Sequence, residues 1–219
     1  MKAVGVQFRS GIKIYEFIQT DLPVNPQDLV LVETGYGEEI GKVIYTDRKI
    51  GKNDEVPQHK VDRILTEAEI ERLAYLREKN NHFLDTFKER ISKYRLSMKP
   101  VDLEFSLDEQ QVTFYFTSEA RVDFRELVRD LSRALKLTVI LRQMGQRDEA
   151  RILSGFGPCG KSICCGNFLT KLENITMDMV REQYEGTRNA SKVSGICGRL
   201  MCCLAFEDIK KSSKKESKK

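Results

Sequence analysis

No cysteine occurs in the first 158 of the 219 residues; all six lie between Cys159 and Cys203. No apolar run approaches the roughly 18 residues a membrane helix needs, which excludes an integral membrane protein of that kind. Met1 to Ile18 interleave Lys2, Arg9 and Lys13 with apolar positions, which is no signal peptide, so a cytoplasmic protein is expected. Histidine is scarce as well, with only His59 and His82. A cysteine nucleophile needs a nearby base, and neither histidine is close in sequence to the cysteines. Walker loop, dinucleotide fingerprint and serine elbow are all missing. These absences point away from an enzyme.

Hydrophobic residues make up 40% of the chain and charged residues 32%, somewhat polar but enough to build a core. The formal charge of +4 is misleading. Residues 210–219 hold six lysines and one glutamate, +5 in all, which leaves the first 209 residues at −1. With no apolar residue after Ile209, this tail cannot bury enough surface to fold and is expected to be disordered. It would solubilise the chain or make a weak contact with RNA or another polyanion.

Along the chain, Val4, Val6 and Phe8 alternate as a strand, and Ile12, Ile14 and the aromatic-rich YEF follow the turn pair Ser10-Gly11. DLVLVET and EEIGKVIYT form a second strand pair around Gly35 and Gly37. No helix opens behind Gly35, Gly37 and Gly41, so they read as hairpin glycines and not as a phosphate cradle. Residues 51–60 are a polar linker. Thr66 with Glu69 three positions on is a capping box for a helix over about 66–95, roughly 45 Å long. Its apolar stripe runs through Ile70, Leu73, Leu84, Phe87, Ile91 and Tyr94, widened by Ala74 and interrupted by Asn80 and Asn81. Such a helix packs along the globule or offers a face to another protein.

Residues 101–142 read as ββαβ: VDLEFSL, VTFYFTS, a helix with the stripe Phe124, Leu127, Val128, Leu131 and Leu135, then TVILRQ. Arg121, Arg125, Arg129 and Arg133 recur every four residues among Asp123, Glu126 and Asp130. They form a charge-paired solvated face or a surface for anions.

The decisive feature is an internal repeat. GPCGKSICC and GICGRLMCC share Gly-x-Cys-Gly-x-x-x-Cys-Cys, and the three cysteines of each are offset by 38 residues. Inert core thiols would not keep register in triplicate. Glycines on both sides of the lead cysteine permit unusual backbone angles and let amides approach a sulfur or cluster. Two loops that each supply three thiolates suit a metal site. Tetrahedral zinc would use four of the six. An iron–sulfur cluster accepts ligands from wider positions, with Lys161, Lys192 and Arg199 to offset its charge. Redox-active or structural thiols are the third reading.

At these residues the chain resembles a known family. RVDFRELVRDLSRALKLTVILRQMGQRDEARILSGFGPCGKSICC and SKVSGICGRLMCCLAFE are similar to the core of the YaaT/RicT-like proteins, whose shared region is named after a yeast polymerase-suppressor protein. The resemblance runs from about Met1 to Glu207 and departs at EQYEGTRNASKVSG, where relatives usually carry a proline-containing loop. It implies a bacterial cytoplasmic regulator associated with 4Fe–4S clusters. Cys159, Cys164, Cys165, Cys197, Cys202 and Cys203 would be the cofactor and metal ligands. It further implies two small helical partners of the YlbF/YmcA type, endoribonuclease-dependent mRNA maturation and developmental phosphorelay control.

The expected architecture is therefore α+β. A β-rich portion over 1–57 precedes a linker and long helix over 58–99 and a ββαβ unit over 100–152. A cysteine-rich metal module over 153–209 and the lysine-rich tail over 210–219 follow. The expected function is a non-enzymatic regulatory scaffold or adaptor that binds iron–sulfur clusters and acts on RNA turnover. The alternative is a zinc-stabilised nucleic-acid-binding protein.

Overall fold

The computed structural model describes residues 2–9, 14–35, 37–50, 57, 59–169, 174–183 and 192–207. The Ser10-Gly11 turn, most of the polar linker, the loop over 184–191 and the lysine-rich tail lie outside the described residues. The chain divides into two compact units, Met1–Met144 and Gly145–Lys219.

The first unit opens with five strands: β1 (Lys2–Phe8), β2 (Ile14–Ile18), β3 (Leu29–Thr34), β4 (Gly37–Lys49) and β5 (Val61–Ile64). They form one sheet in the order β2-β1-β4-β3-β5, with every neighbouring pair antiparallel. Alternation puts Val4, Val6, Phe17, Val30, Val32, Val43 and Val61 together in a core. A parallel bridge between Ile18 and Lys60, with the Ile18 N–H donating to the His59 carbonyl at 2.9 Å, joins the flanks of the two outer strands. The sheet thereby curls back on itself, which protects its edges. Glycine is required where β1 and β4 cross closely. A side chain on Gly5 would collide with the ring of Tyr45, whose hydroxyl donates to Glu16 at 2.7 Å. Gly37, at φ +102°, makes the hairpin turn before β4, as its sequence context suggests.

β5 lies beyond the stretch read as β-rich. VDRI has two charged residues at its centre and no periodicity to reveal it, and its partner β3 supplies the pairing. The helix α1 (Glu67–Lys93) follows, and its capping box is formed as expected. Thr66 Oγ1 accepts from the Glu69 N–H at 3.4 Å, and Glu69 accepts from the Thr66 N–H at 2.9 Å. The stripe differs from the sequence reading at Ile70, which is 40% exposed, and at Asn80 and Ala74. Asn80 is buried between Leu76 and Phe87, and its Nδ2 donates to the Leu103 carbonyl at 3.2 Å. It continues the packed face by satisfying a strand carbonyl, whereas Ala74 is exposed.

The first half of α1 covers Leu31 of β3 through Leu73, and the second half covers a three-stranded sheet. That sheet comprises β6 (Lys99–Phe105), β7 (Gln111–Thr117) and β8 (Thr138–Gln143), with helix α2 (Arg125–Leu135) between the last two strands. β6 and β7 are antiparallel, β7 and β8 parallel, which is the ββαβ arrangement expected. Its core gathers Phe87, Leu103, Phe114, Phe116, Leu127 and Leu131, all essentially inaccessible to solvent. The arginine ladder of α2 is only partly self-paired. Arg125 clasps Asp123, but Asp130 accepts from Arg90 and Lys93 of α1 and from Tyr94 at its C-terminal end, at 3.1–3.2 Å. Arg9–Asp102 and Arg142–Glu39 pairs at 2.7 and 2.6 Å tie this sheet to the first one.

The second unit contains α3 (Gln146–Leu153), α4 (Cys164–Asn167), α5 (Met177–Gln183) and a further helical turn at 203–207. Among the described residues, one apolar cluster there centres on Val180, Val193 and Leu204, with Ile175, Leu200 and Met201 packed against it. Among the described residues no helix is long and apolar enough to cross a membrane. The molecule is α+β with a β-rich beginning, as its sequence suggests.

Candidate functional site

The two cysteine repeats fold alike. In the first, the Gly157 N–H donates to the Lys161 carbonyl at 2.8 Å and the Gly160 N–H to the Gly157 carbonyl at 2.9 Å. In the second, Gly195 donates to Arg199 at 2.8 Å and Gly198 to Gly195 at 3.0 Å, the same bonds 38 residues later. Gly160 and Gly198 have φ of +75° and +72°, a left-handed conformation that a side chain would strain. Antiparallel bridges Phe156–Ser162 and Ser194–Leu200 close the base of each turn. A short helical turn then begins at the cysteine pair in both repeats, with Phe168 donating to Cys164 and Phe206 to Cys202.

This equivalence extends to tertiary contact. Phe168 and Phe206 occupy corresponding positions, and their rings meet edge-to-face at 5.3 Å between centroids. Cys164 and Cys202 also correspond, and their thiols are close enough for each to act on the other. Pairs of equivalent residues in contact are what a local two-fold relation between the turns produces. The aromatic pair was legible in the sequence as a repeated Cys-Cys-x-x-Phe, a signal the cysteine triplet alone does not use.

All six cysteines line a single cleft of about 60 Å³ whose wall is otherwise almost wholly apolar. None is in a disulfide. The thiols are intermingled across the repeats: Cys164 senses Cys202 and Cys159, while Cys165 senses Cys202 and Cys197. Burial, followed by the neighbouring sulfurs, pushes the Cys164, Cys165 and Cys203 thiols above their ordinary pKa. Two thiolates resist forming side by side in an apolar cleft. A bound cation would remove that penalty.

Arg147 and Arg151 of α3 flank Cys165, and Arg147 Nη2 donates to the Leu200 carbonyl at 3.3 Å. Sequence reasoning pointed to Lys161, Lys192 and Arg199 and did not include these two arginines. Their four-residue spacing just upstream of the first turn was the available signal. Both histidines are exposed and lie in the first unit.

The donor set suits a thiolate-bound metal: six reduced thiols, an apolar enclosure and adjacent arginines. Among the described residues, however, no three His, Cys, Asp or Glu side chains are gathered so as to hold one metal ion. The thiols share a cleft without converging on a single point.

Comparison with known proteins places this geometry in context. Residues 59–144 match the PSP1 C-terminal conserved region, and residues 174–215 match the third domain of PSP1-like proteins. The stage 0 sporulation protein YaaT of Bacillus subtilis is 38% identical over 97% of this chain and 78% of its own length. The chain belongs to the PSP1 family. Within it the chain is YaaT-like, and the similarity runs through both units. An uncharacterized protein of Schizosaccharomyces pombe is 25% identical over 61% of this chain and 22% of its own length. No solved structure matches.

Proposed function

We propose that this PSP1-family chain is a non-enzymatic regulatory adaptor whose two cysteine turns together hold an iron–sulfur cluster. The observation that carries the reading is the sharing of one apolar cleft by all six thiols from two equivalent turns. A cluster accepts thiolates from wider positions than a single ion does, which suits thiols that share a space but do not converge on one point. Cys159, Cys164, Cys165, Cys197, Cys202 and Cys203 supply the ligands, and Arg147 and Arg151 offset the charge. When bound, the cluster supplies a cross-link between turns that have little apolar core of their own.

The adaptor role extends this reading to partners. The similarity to a stage 0 sporulation protein supports developmental regulation. Small helical proteins of the YlbF/YmcA type and an endoribonuclease are the proposed associates, with mRNA maturation as the process. A cytoplasmic location follows from that role. The zinc reading keeps one specific support, the pair of glycine-framed cysteine turns, because two such knuckles facing each other are the frame of a four-thiolate zinc site.

One assay separates them. The full chain is purified without oxygen, and iron, acid-labile sulfide and zinc are measured per polypeptide. Iron and sulfide in equal amounts support the cluster, stoichiometric zinc the alternative, and a metal-free chain with native circular dichroism removes both.

A further inference from the structure

The exposed surface of the paired turns extends outward from the rim of their cysteine cleft, where Ile196 lies. Phe156 is 71% exposed, the most exposed large apolar side chain among the described residues. Ile196, 51% exposed, comes from the opposite turn, and its Cδ1 lies 3.4 Å from where a side chain on Gly155 would begin. Ile196 thus lies against the residue that precedes Phe156 in the chain. Lys161 and Arg199 occupy the corresponding position in the two turns, both exposed, with Lys192 exposed just upstream of the second. Residues 154–169 and 192–206 contain these three cations and not one carboxylate. Among the described residues none of the three is held in an ion pair. The first unit is different: Arg48, Arg63, Arg72 and Arg125 are each clasped by a carboxylate there.

An exposed aromatic flanked by spaced, unpaired cations matches one polymer well. A single polynucleotide strand presents base faces for stacking and phosphates at regular intervals, whereas a duplex hides its base faces. An acidic protein would use the cations but leave Phe156 without its preferred partner. We infer that the paired turns form a docking surface for single-stranded nucleic acid, with a base stacked on Phe156 beside Ile196 and phosphates held by Lys161 and Arg199. The inference goes beyond the metal reading and does not depend on which metal the thiols hold.

The test uses the full chain, with metal content measured for every variant. Fluorescence anisotropy follows a labelled 12-nucleotide oligouridylate, a DNA strand of equal length and a 12-base-pair duplex across a salt series. Both single strands should bind, and the ratio between them separates RNA from DNA as the preferred ligand. The duplex should bind at least tenfold more weakly. Phe156→Ala should cost about tenfold with an unchanged salt slope. Lys161→Gln with Arg199→Gln should flatten the slope by about 1.4, the release of ~0.7 counterion per lost phosphate contact. Deleting residues 210–219 should leave the Phe156 effect in place. Equal binding of duplex and single strand, wild-type affinity in both variants, or complete loss on tail deletion alone would overturn the inference.

Discussion

The two units of this chain solve the problem of stability differently. In the first, two sheets and a long helix bury aromatic and branched side chains in contiguous clusters, and surface charges are paired across elements. In the second, the buried apolar side chains described are all aliphatic and include Ile163, Leu169, Val180, Val193 and Leu204; five of the eight exposed large hydrophobics among the described residues are found there, and six thiols line a cleft. A small fold without a buried aromatic ring among its described residues gains from a covalent or metal staple. The thiols are not in disulfides, and under the proposed function a bound cluster supplies the staple. On the proposed reading, one unit folds on its own apolar surface and the other is completed by its cluster.

The largest expected effect tests that asymmetry at the cysteines. Cys164→Ser with Cys202→Ser removes the pair that meets between the turns. Metal binding is worth roughly 10–16 kcal/mol in small zinc modules, so its loss should open residues 155–165 and 192–203 to rapid hydrogen exchange. Residues 99–143 should keep their protection. Uniform loss across both units would erase the distinction drawn here.

Truncation in the first unit should do the reverse. Phe114→Ala leaves a cavity against Phe87, a ring 4.6 Å away between centroids. It should cost about 3–5 kcal/mol in denaturant unfolding. Metal content per folded chain should not change. A smaller cost, on the order of 1–3 kcal/mol, is expected for Asn80→Ala, which strands the buried Leu103 carbonyl. If Asn80 were only an interruption of the helix stripe, alanine would stabilise the chain.

Asn80 also marks where the sequence misleads. Periodicity identified α1, its cap and the ββαβ unit, because Thr66, Glu69 and the stripe on α2 follow rules local to the chain. What a polar side chain does inside a stripe depends on a carbonyl 23 residues away, which no local rule contains. β5 was hidden for the same reason: VDRI becomes a strand because β3 is there to pair with it. At the site, the repeat of Cys159, Cys164 and Cys165 in Cys197, Cys202 and Cys203 was plain. That the equivalents touch each other, and that Arg147 and Arg151 stand beside Cys165, required the fold.

Acid should act on the first unit through a modest effect. Hydrogen bonds from Arg63, then from Thr66, hold Glu69 down from 4.5 to about 2. A carboxylate lowered in the fold contributes stability that is present above its ordinary pKa and lost as pH falls toward 2. In Glu69→Gln the drop in urea midpoint between pH 6 and pH 3 should therefore shrink. An identical drop in both proteins would show that the cap carries no acid sensitivity. The smallest effect expected is that of removing residues 210–219, which takes away +5 of charge and no core residue. The melting temperature should stay the same, and a large fall would mean that the tail docks on the body.

The claim that the two turns form one thiolate site is tested most directly by X-ray absorption at the metal edge of the full chain, purified without oxygen. A first shell of sulfur alone, with an iron–iron scattering path beyond it, is the expected spectrum, reduced in the Cys164→Ser, Cys202→Ser protein. A first shell dominated by nitrogen and oxygen, or an edge unchanged by removing those two thiols, would contradict it.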